Sequence, residues 1–407
     1  MRYLFTTTLL MLFAQSPVGF ASSLCPASTP GTPAAVSPNP LPTAETPASI
    51  ACIYGLTANV PGCPIKGTTL NPTGGWGAIA VIEGGDDPNA YAELTAFSLQ
   101  YNLPVLLPCP ANPTAANVPC FGTYYVNNVK PKGAVDITEH VIDIEWAHAM
   151  APWASIYMVE GADLCVPGVF ATVDLASQMV ANTGGGLVSN SWSVSEFSTE
   201  AGYDFHFQMP SVVYVGSSGD YSYPARYPSA SPYVVSAGAT LITRNAAGQF
   251  VSESAWRDTY FAIGQKLSGV SGGPSMYEPR PSYQDSVAKI VGTHRGTPDI
   301  SFVGDPVTGM SVYKTLCTDV TNNTGCSSGW VKVGGTSLSA PALAGIINSA
   351  NGRAQSSMQE LTTIYTAAIK NYATYWHDVT QGNNGYPALR GYDFTTGLGT
   401  PSGYAGK

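Results

Sequence analysis

Short apolar runs alternate with longer amphipathic stretches along the first half of the chain. Gly77 to Glu83 (GAIAVIE), Ser155 to Glu160 (SIYMVE), Gly186 to Trp192 (GLVSNSW), Ser211 to Ser217 (SVVYVGS) and Tyr233 to Ala237 each read as a buried strand. Ala90 to Tyr101 reads as a helix, as do stretches near 139–150 and 170–182. Strands alternating with helices predict an α/β fold: a central, mostly parallel sheet with helices on both faces. In such folds ligands bind at the carboxyl ends of the strands. Further on, Ala342 to Ala350 is small and apolar and reads as another helix. No internal repeat is visible.

The ends of this pattern differ from its middle. Arg2 followed by the apolar Leu4 to Phe13 and small residues at Ala21 to Ser23 predicts a signal peptide over 1–23. Residues 24–45 are rich in Pro, Ala, Ser and Thr, have no apolar period, and read as a linker. A single domain is expected over 46–407. No later apolar run has membrane-spanning length, so an exported protein, extracellular or periplasmic, is expected. Leu24 before Cys25 argues against a lipid on that cysteine.

Composition sharpens this. The chain has 407 residues, 44% hydrophobic and 11% charged, with 26 acidic against 17 basic side chains. A net charge of −9 and no basic cluster exclude a nucleic-acid partner. Few charges and few lysines suit an acidic medium. Eight cysteines fit an oxidising compartment. Spacing suggests Cys52–Cys63, Cys109–Cys120 and Cys317–Cys326, with Cys25 and Cys165 left over and free buried thiols as the alternative. No Cys-x-x-Cys or His/Cys cluster supports zinc.

Candidate chemistry starts at Gly334-Gly335-Thr336-Ser337-Leu338-Ser339-Ala340-Pro341. Pro341 is expected in the first helical turn, which places Ser337 near a helix N-terminus. Free N–H groups and the helix dipole there favour a nucleophilic serine and its oxyanion, although such a serine can equally be a plain cap. None of the five histidines has a Gly-rich setting suited to a Ser-His-Asp triad, and each reads as a surface or capping residue. Carboxyls offer another base. Asp136 to Met150 reads as a helix ended by Pro152, with Glu139 and Asp143 four apart on one face. If buried they would share a proton and serve as a base in acid; if exposed they are an acidic surface. Asp220, in Ser217-Ser218-Gly219-Asp220 after a strand, could stay protonated and donate to an oxyanion, or simply make a turn. Asp378 and Asp393, bracketing Gly382-Asn383-Asn384-Gly385, offer a calcium loop or Asx turns.

Taken in order, these segments resemble the sedolisin family of serine-carboxyl peptidases, most closely its kumamolisin-like members. The resemblance runs from Thr46-Pro47-Ala48 and Ile53-Tyr54-Gly55 through the strands at Ala78–Glu83 and Leu187–Trp192. It continues in Tyr227-Pro228, Ser231-Pro232-Tyr233-Val234, Ser271-Gly272-Gly273, Pro281-Ser282-Tyr283-Gln284, Arg295-Gly296-Thr297-Pro298-Asp299 and Asp305-Pro306 with Thr308-Gly309. It implies a subtilisin-like fold, with Ser337 as nucleophile, Glu139 as base, Asp143 as its supporting carboxyl and Asp220 as the oxyanion acid. It further places Glu83 and Trp192 as partners of the catalytic glutamate. One structural Ca2+ is implied, held by Asp378, Asp393 and the carbonyls of Val379, Leu389 and Gly391.

The function expected is acid-active endopeptidase cleavage of protein or peptide substrates by a monomer. The alternative is an inactive secreted peptide-binding pseudo-peptidase; a histidine-dependent subtilisin-like hydrolase is a further rival. Relatives usually carry a large N-terminal prodomain, whereas about two dozen residues separate the expected signal from the expected domain here. How such a chain folds and is restrained is the question this raises.

Overall fold

The structure, a computed structural model, describes residues 24–26, 35–114, 119–134, 137–263, 266–319, 322–350 and 353–407. The expected signal peptide, 1–23, lies outside the described residues.

The sheet is built from β1 (Ala78–Gly84), β2 (Leu107–Pro108), β3 (Cys120–Tyr125), β4 (Ser155–Gly161), β5 (Gly186–Asn190), β6 (Val212–Ser217), β7 (Val235–Arg244), β8 (Phe250–Ala255) and β9 (Ile300–Val303). Its order is β8-β7-β6-β5-β1-β4-β3-β2, with β9 also on β7. Only β8–β7 is antiparallel among these pairs. The longer helices are α1 (Pro47–Ile53), α2 (Ala90–Gln100), α3 (Thr138–Met150), α4 (Phe170–Asn182), α5 (Thr336–Ser349) and α6 (Ser357–Tyr375), with a single turn at Ala288–Val291. A hairpin of β10 (Met310–Asp319) and β11 (Thr324–Val333) precedes α5.

The central strands are buried on both faces, and their side chains alternate between two cores. Ile79 and Val81 of β1, with Ile156 and Met158 of β4, join the core beneath α2, α3 and α5. Ala78, Ala80 and Ile82, with Tyr157 and Val159, join the core beneath α4. The same period of two carries Glu83 and Glu160, paired across β1 and β4, to the α3 side at the carboxyl ends of their strands. No helix among the described residues is long and apolar enough to cross a membrane.

Four disulfides are present. Cys52–Cys63, Cys109–Cys120 and Cys317–Cys326 close the local loops expected from spacing. Cys25 pairs with Cys165, 140 positions away. The segment 24–45, expected as a linker, touches the domain at several points. Leu24 bridges Val166, and Ser37 bridges Trp330. Buried Glu45 takes Arg244 Nη2 at 2.6 Å. Proline-rich chain forms few elements of its own, yet its extended backbone can pair with existing edges, which no apolar period announces.

Candidate active site

Each expected catalytic residue sits at the carboxyl ends of the parallel strands. Ser337 is the second residue of α5, entered through Gly335. Asp220 follows β6, Ser191 follows β5, and Glu83 is near the end of β1. Glu139 is in the first turn of α3, and Asp143 lies one turn further on, fully buried. Helices α3 and α5 pack against each other on the same face of the sheet.

Ser191 joins the two halves of this arrangement, and sequence reasoning had not singled it out. Its Oγ is 2.8 Å from Asp143 Oδ1 and 3.1 Å from the carbonyl oxygen of Ser337. The hydroxyl carries one proton, which it donates to Asp143 Oδ1 or to the Ser337 carbonyl. Burial pushes the Asp143 carboxyl well up, and the neighbouring Glu139 pushes it further. The Ser337 carbonyl is free to accept because of Pro341. Expected in the first turn, Pro341 is the sixth residue of α5; it lacks the N–H that would have bonded Ser337, four residues earlier. The Ser337 hydroxyl donates to the Ser191 carbonyl at 3.4 Å.

On the other side of Ser337, Asp220 Oδ1 accepts the Thr336 N–H at 2.9 Å and the Thr336 hydroxyl at 2.7 Å. Burial raises the Asp220 carboxyl, while these bonds and the Arg226 charge hold it back. Its other oxygen faces Gly335. A Cβ added at Gly335 would stand 3.2 Å from Asp220 Oδ2 and 3.9 Å from Ser337 Cβ, and φ there is +128°. The glycine thus leaves a hollow between the aspartate and the serine.

Glu83 has no exposed surface. Burial raises its carboxyl well above the ordinary range, followed by the charges of Asp143, Glu139, Glu160 and Asp87. Trp192 packs on the α4 side with Phe170 and Tyr227. Its single N–H donates to Asn190 Oδ1 at 3.1 Å.

The histidines are less ordinary than expected. His140 and His148 are buried in α3. His206 stacks on Phe170 and meets Asp174 at 2.7 Å, and His377 meets Glu253 at 3.0 Å. Periodicity hid this, because α3 is buried nearly all round and so has no polar face to mark.

In the C-terminal loop, Asp378 Oδ1 accepts the Tyr372 hydroxyl at 2.9 Å and the Gly391 N–H at 3.0 Å. Asp393 accepts the N–H groups of Leu389, Thr395 and Thr396 at 2.7, 2.8 and 2.7 Å. Burial lifts the Asp393 carboxyl to about 6. Among the described residues no cluster of three or more His, Cys, Asp or Glu could hold a metal. A cation held by Asp378 and Asp393 would therefore need further oxygen donors. Both carboxylates act on Tyr372, so they share one neighbourhood, and an all-oxygen donor set of that kind fits a hard divalent cation.

No family model matches this chain. Among curated proteins it is 32% identical over 183 residues to sedolisin of Pseudomonas sp. (strain 101), covering 45% of this chain and 29% of that protein. It is 28% identical over 390 residues to kumamolisin of Bacillus sp. (strain MN-32), covering 89% of this chain and 63% of the relative. With xanthomonalisin of Xanthomonas sp. (strain T-22) it shares 30% over 190 residues, 44% of this chain and 21% of the relative. The matched part thus spans less than two thirds of each of these relatives. The solved structure of Pseudomonas sedolisin, a serine-carboxyl proteinase complexed with pseudo-iodotyrostatin, superposes with a TM-score of 0.66 at 22% identity, over 88% of this chain and 95% of that one. That likeness shows the shared subtilisin-like fold. The sequence matches make the chain similar to members of the sedolisin family over the aligned stretches.

Proposed function

We propose that this protein is a secreted serine-carboxyl endopeptidase that hydrolyses peptide bonds of protein or peptide substrates in acid. One observation carries the reading. Ser337 lies between the buried Asp143 carboxyl, reached through the Ser191 hydroxyl, and the Asp220 carboxyl, which caps the same helix through Thr336.

In this reading Glu139 takes the Ser337 proton as the serine oxygen attacks the scissile carbonyl. Asp143, protonated and held by Ser191, stabilises the Glu139 carboxylate by a short-range proton. The tetrahedral oxyanion occupies the hollow at Gly335, where protonated Asp220 donates to it along with a backbone N–H of α5. The proton on Glu139 passes to the leaving amine, the C–N bond breaks, and an acyl-enzyme remains on Ser337. Water then gives its proton to Glu139, attacks the acyl carbon, and releases the acid while the serine regains its proton. A histidine base would be protonated and idle at such pH, whereas buried carboxyls of raised affinity keep protons where they are needed.

The remaining parts of the reading follow from this. The peptidase domain spans 46–407 as a monomer, and four disulfides support an oxidising, extracellular or periplasmic setting. Asp378 and Asp393, with the carbonyls of Val379, Leu389 and Gly391, would hold one Ca2+ whose charge stiffens the C-terminal loop.

The test is a pH–rate profile on a peptide substrate with Ser337→Ala and Glu139→Gln beside the parent. Both variants are expected to lose at least a thousandfold in kcat/KM with unchanged circular dichroism, and the parent to lose activity as rising pH ionises Asp220, whose carboxyl burial holds above its ordinary value. Normal turnover by folded Glu139→Gln would remove the proposed base, and no cleavage at any pH would leave a peptide binder.

A further inference from the structure

His140 follows Glu139 directly and is 2% exposed. Its Nε2 is 3.2 Å from the carbonyl oxygen of Gly85. A carbonyl only accepts, so the ring proton is on Nε2 and Nδ1 faces the other way. Nδ1 stands 3.7 Å from Glu83 Oε2, too long for a hydrogen bond but within ion-pair range. Glu83 in turn is surrounded by carboxyls: Glu139 and Asp143 of α3, Glu160 of β4, and Asp87 from the turn after β1. Asp86 in that turn is engaged by Lys130 at 3.0 Å, at the surface end of the cluster. His140 is thus a basic group within ion-pair distance of the buried Glu83 carboxyl, while the other buried cation near the start of this helix, Lys314, donates to the Thr138 hydroxyl at 2.5 Å.

We propose that His140 is a positioning residue of this site: as an imidazolium paired with Glu83 it keeps one proton off the Glu83–Asp143–Glu139 set, so that Glu139 is free to act as base at lower pH. This rests on the reading of Glu139 as the base. The charge acts through Glu83, and His140 itself touches no reacting atom. Crowded buried carboxyls hold protons tightly, because each anion repels the next. Too many protons would leave Glu139 unable to accept another in strong acid. A single buried cation offsets one of those repulsions and lowers the set's affinity for protons. His148, two turns along the same helix, provides the contrast. It is equally buried but meets only the Pro104 carbonyl, at 2.9 Å, and burial lowers it to about 4. Glu83 gives His140 a carboxyl within ion-pair range.

Two measurements test this separately from the peptidase reading. The first is a ring-nitrogen NMR titration of the full chain carrying Ser337→Ala, which prevents self-digestion. His140 is expected to remain doubly protonated through pH 6, and Glu83→Gln to lower its titration by at least one pH unit. A His140 ring that stays neutral down to pH 4 overturns the proposal whatever the enzyme's activity. The second is the pH profile of kcat/KM for His140→Gln, whose amide can still donate to Gly85. The acidic limb is expected to move up by about one pH unit, a loss of about tenfold below it, with the plateau retained. A folded variant with an unmoved limb and a uniformly reduced rate would mean that the ring only packs. If the parent cleaves nothing, the peptidase reading fails, while the NMR titration still decides the pairing.

Discussion

Replacing Glu200 by Gln tests whether buried carboxyl pairs tie this fold to acid. Glu200 follows a short turn at Phe197 and has no exposed surface; its Oε2 accepts the Phe197 N–H at 2.7 Å. Glu196 lies beside it, accepting the Met276 N–H at 3.2 Å. Glu278 and Asp204, both buried, and the Tyr227 hydroxyl face the same spot, and His294 and Arg295 supply the nearby basic groups. Burial, then Glu196, raises the Glu200 carboxyl to about 9. Burial likewise raises Glu278 to about 7 and Asp204 to about 6. Glu200 therefore keeps its proton and donates it to Glu196, while an unfolded glutamate releases its proton near pH 4.3. Stability from this pair is complete below that pH and drains away as pH rises towards the folded value. Between about pH 4.5 and 7 the loss is at most roughly 3 kcal/mol for one group, at 1.36 kcal/mol per pH unit, and sharing with Glu196 reduces it.

Gln mimics the protonated form at every pH: its carbonyl can accept from Phe197 and its amide can donate to Glu196. Glu200→Gln should thus match the parent at pH 4 and exceed it at pH 7 by about 1–3 kcal/mol, a gain of roughly 2–5 °C in melting temperature. Thermal unfolding of both chains in a Ser337→Ala background at the two pH values is the assay. An equal fall in melting temperature from pH 4 to 7 in the two proteins would refute the reasoning. So would a variant that is destabilised at both.

Two further outcomes are expected. Gly335→Ala places a methyl group 3.2 Å from Asp220 Oδ2 at a φ of +128°, so kcat should fall by at least a hundredfold while KM changes little; an active, folded variant would mean that the oxyanion lies elsewhere. Excess chelator should lower the parent's melting temperature, and Asp393→Asn should abolish that response; equal melting with and without chelator would remove the proposed calcium.

Local order in the chain was enough for much of the fold and part of the site. Strand and helix positions followed from the apolar pattern, because burial on both faces leaves continuous apolar runs. The three short disulfide loops were visible because their cysteines are neighbours in sequence. Glu139 and Asp143 could be paired because a helix brings residues four apart onto one face. The chain alone also put Ser337 at a helix N-terminus and Asp220 after a strand.

Only the tertiary structure decided what these groups do to one another. Strand order, which no local period encodes, sets Ser191 between Asp143 and Ser337, 146 positions from the serine. It turns Pro341 from a starting signal into the reason that the Ser337 carbonyl is free. It pairs Cys25 with Cys165 and Glu45 with Arg244 across long separations. Above all it buries the carboxyls and brings Glu83 to His140. Whether an acidic pair is a wet surface or a proton-sharing site depends on the water around it, and water is excluded only once distant segments have packed.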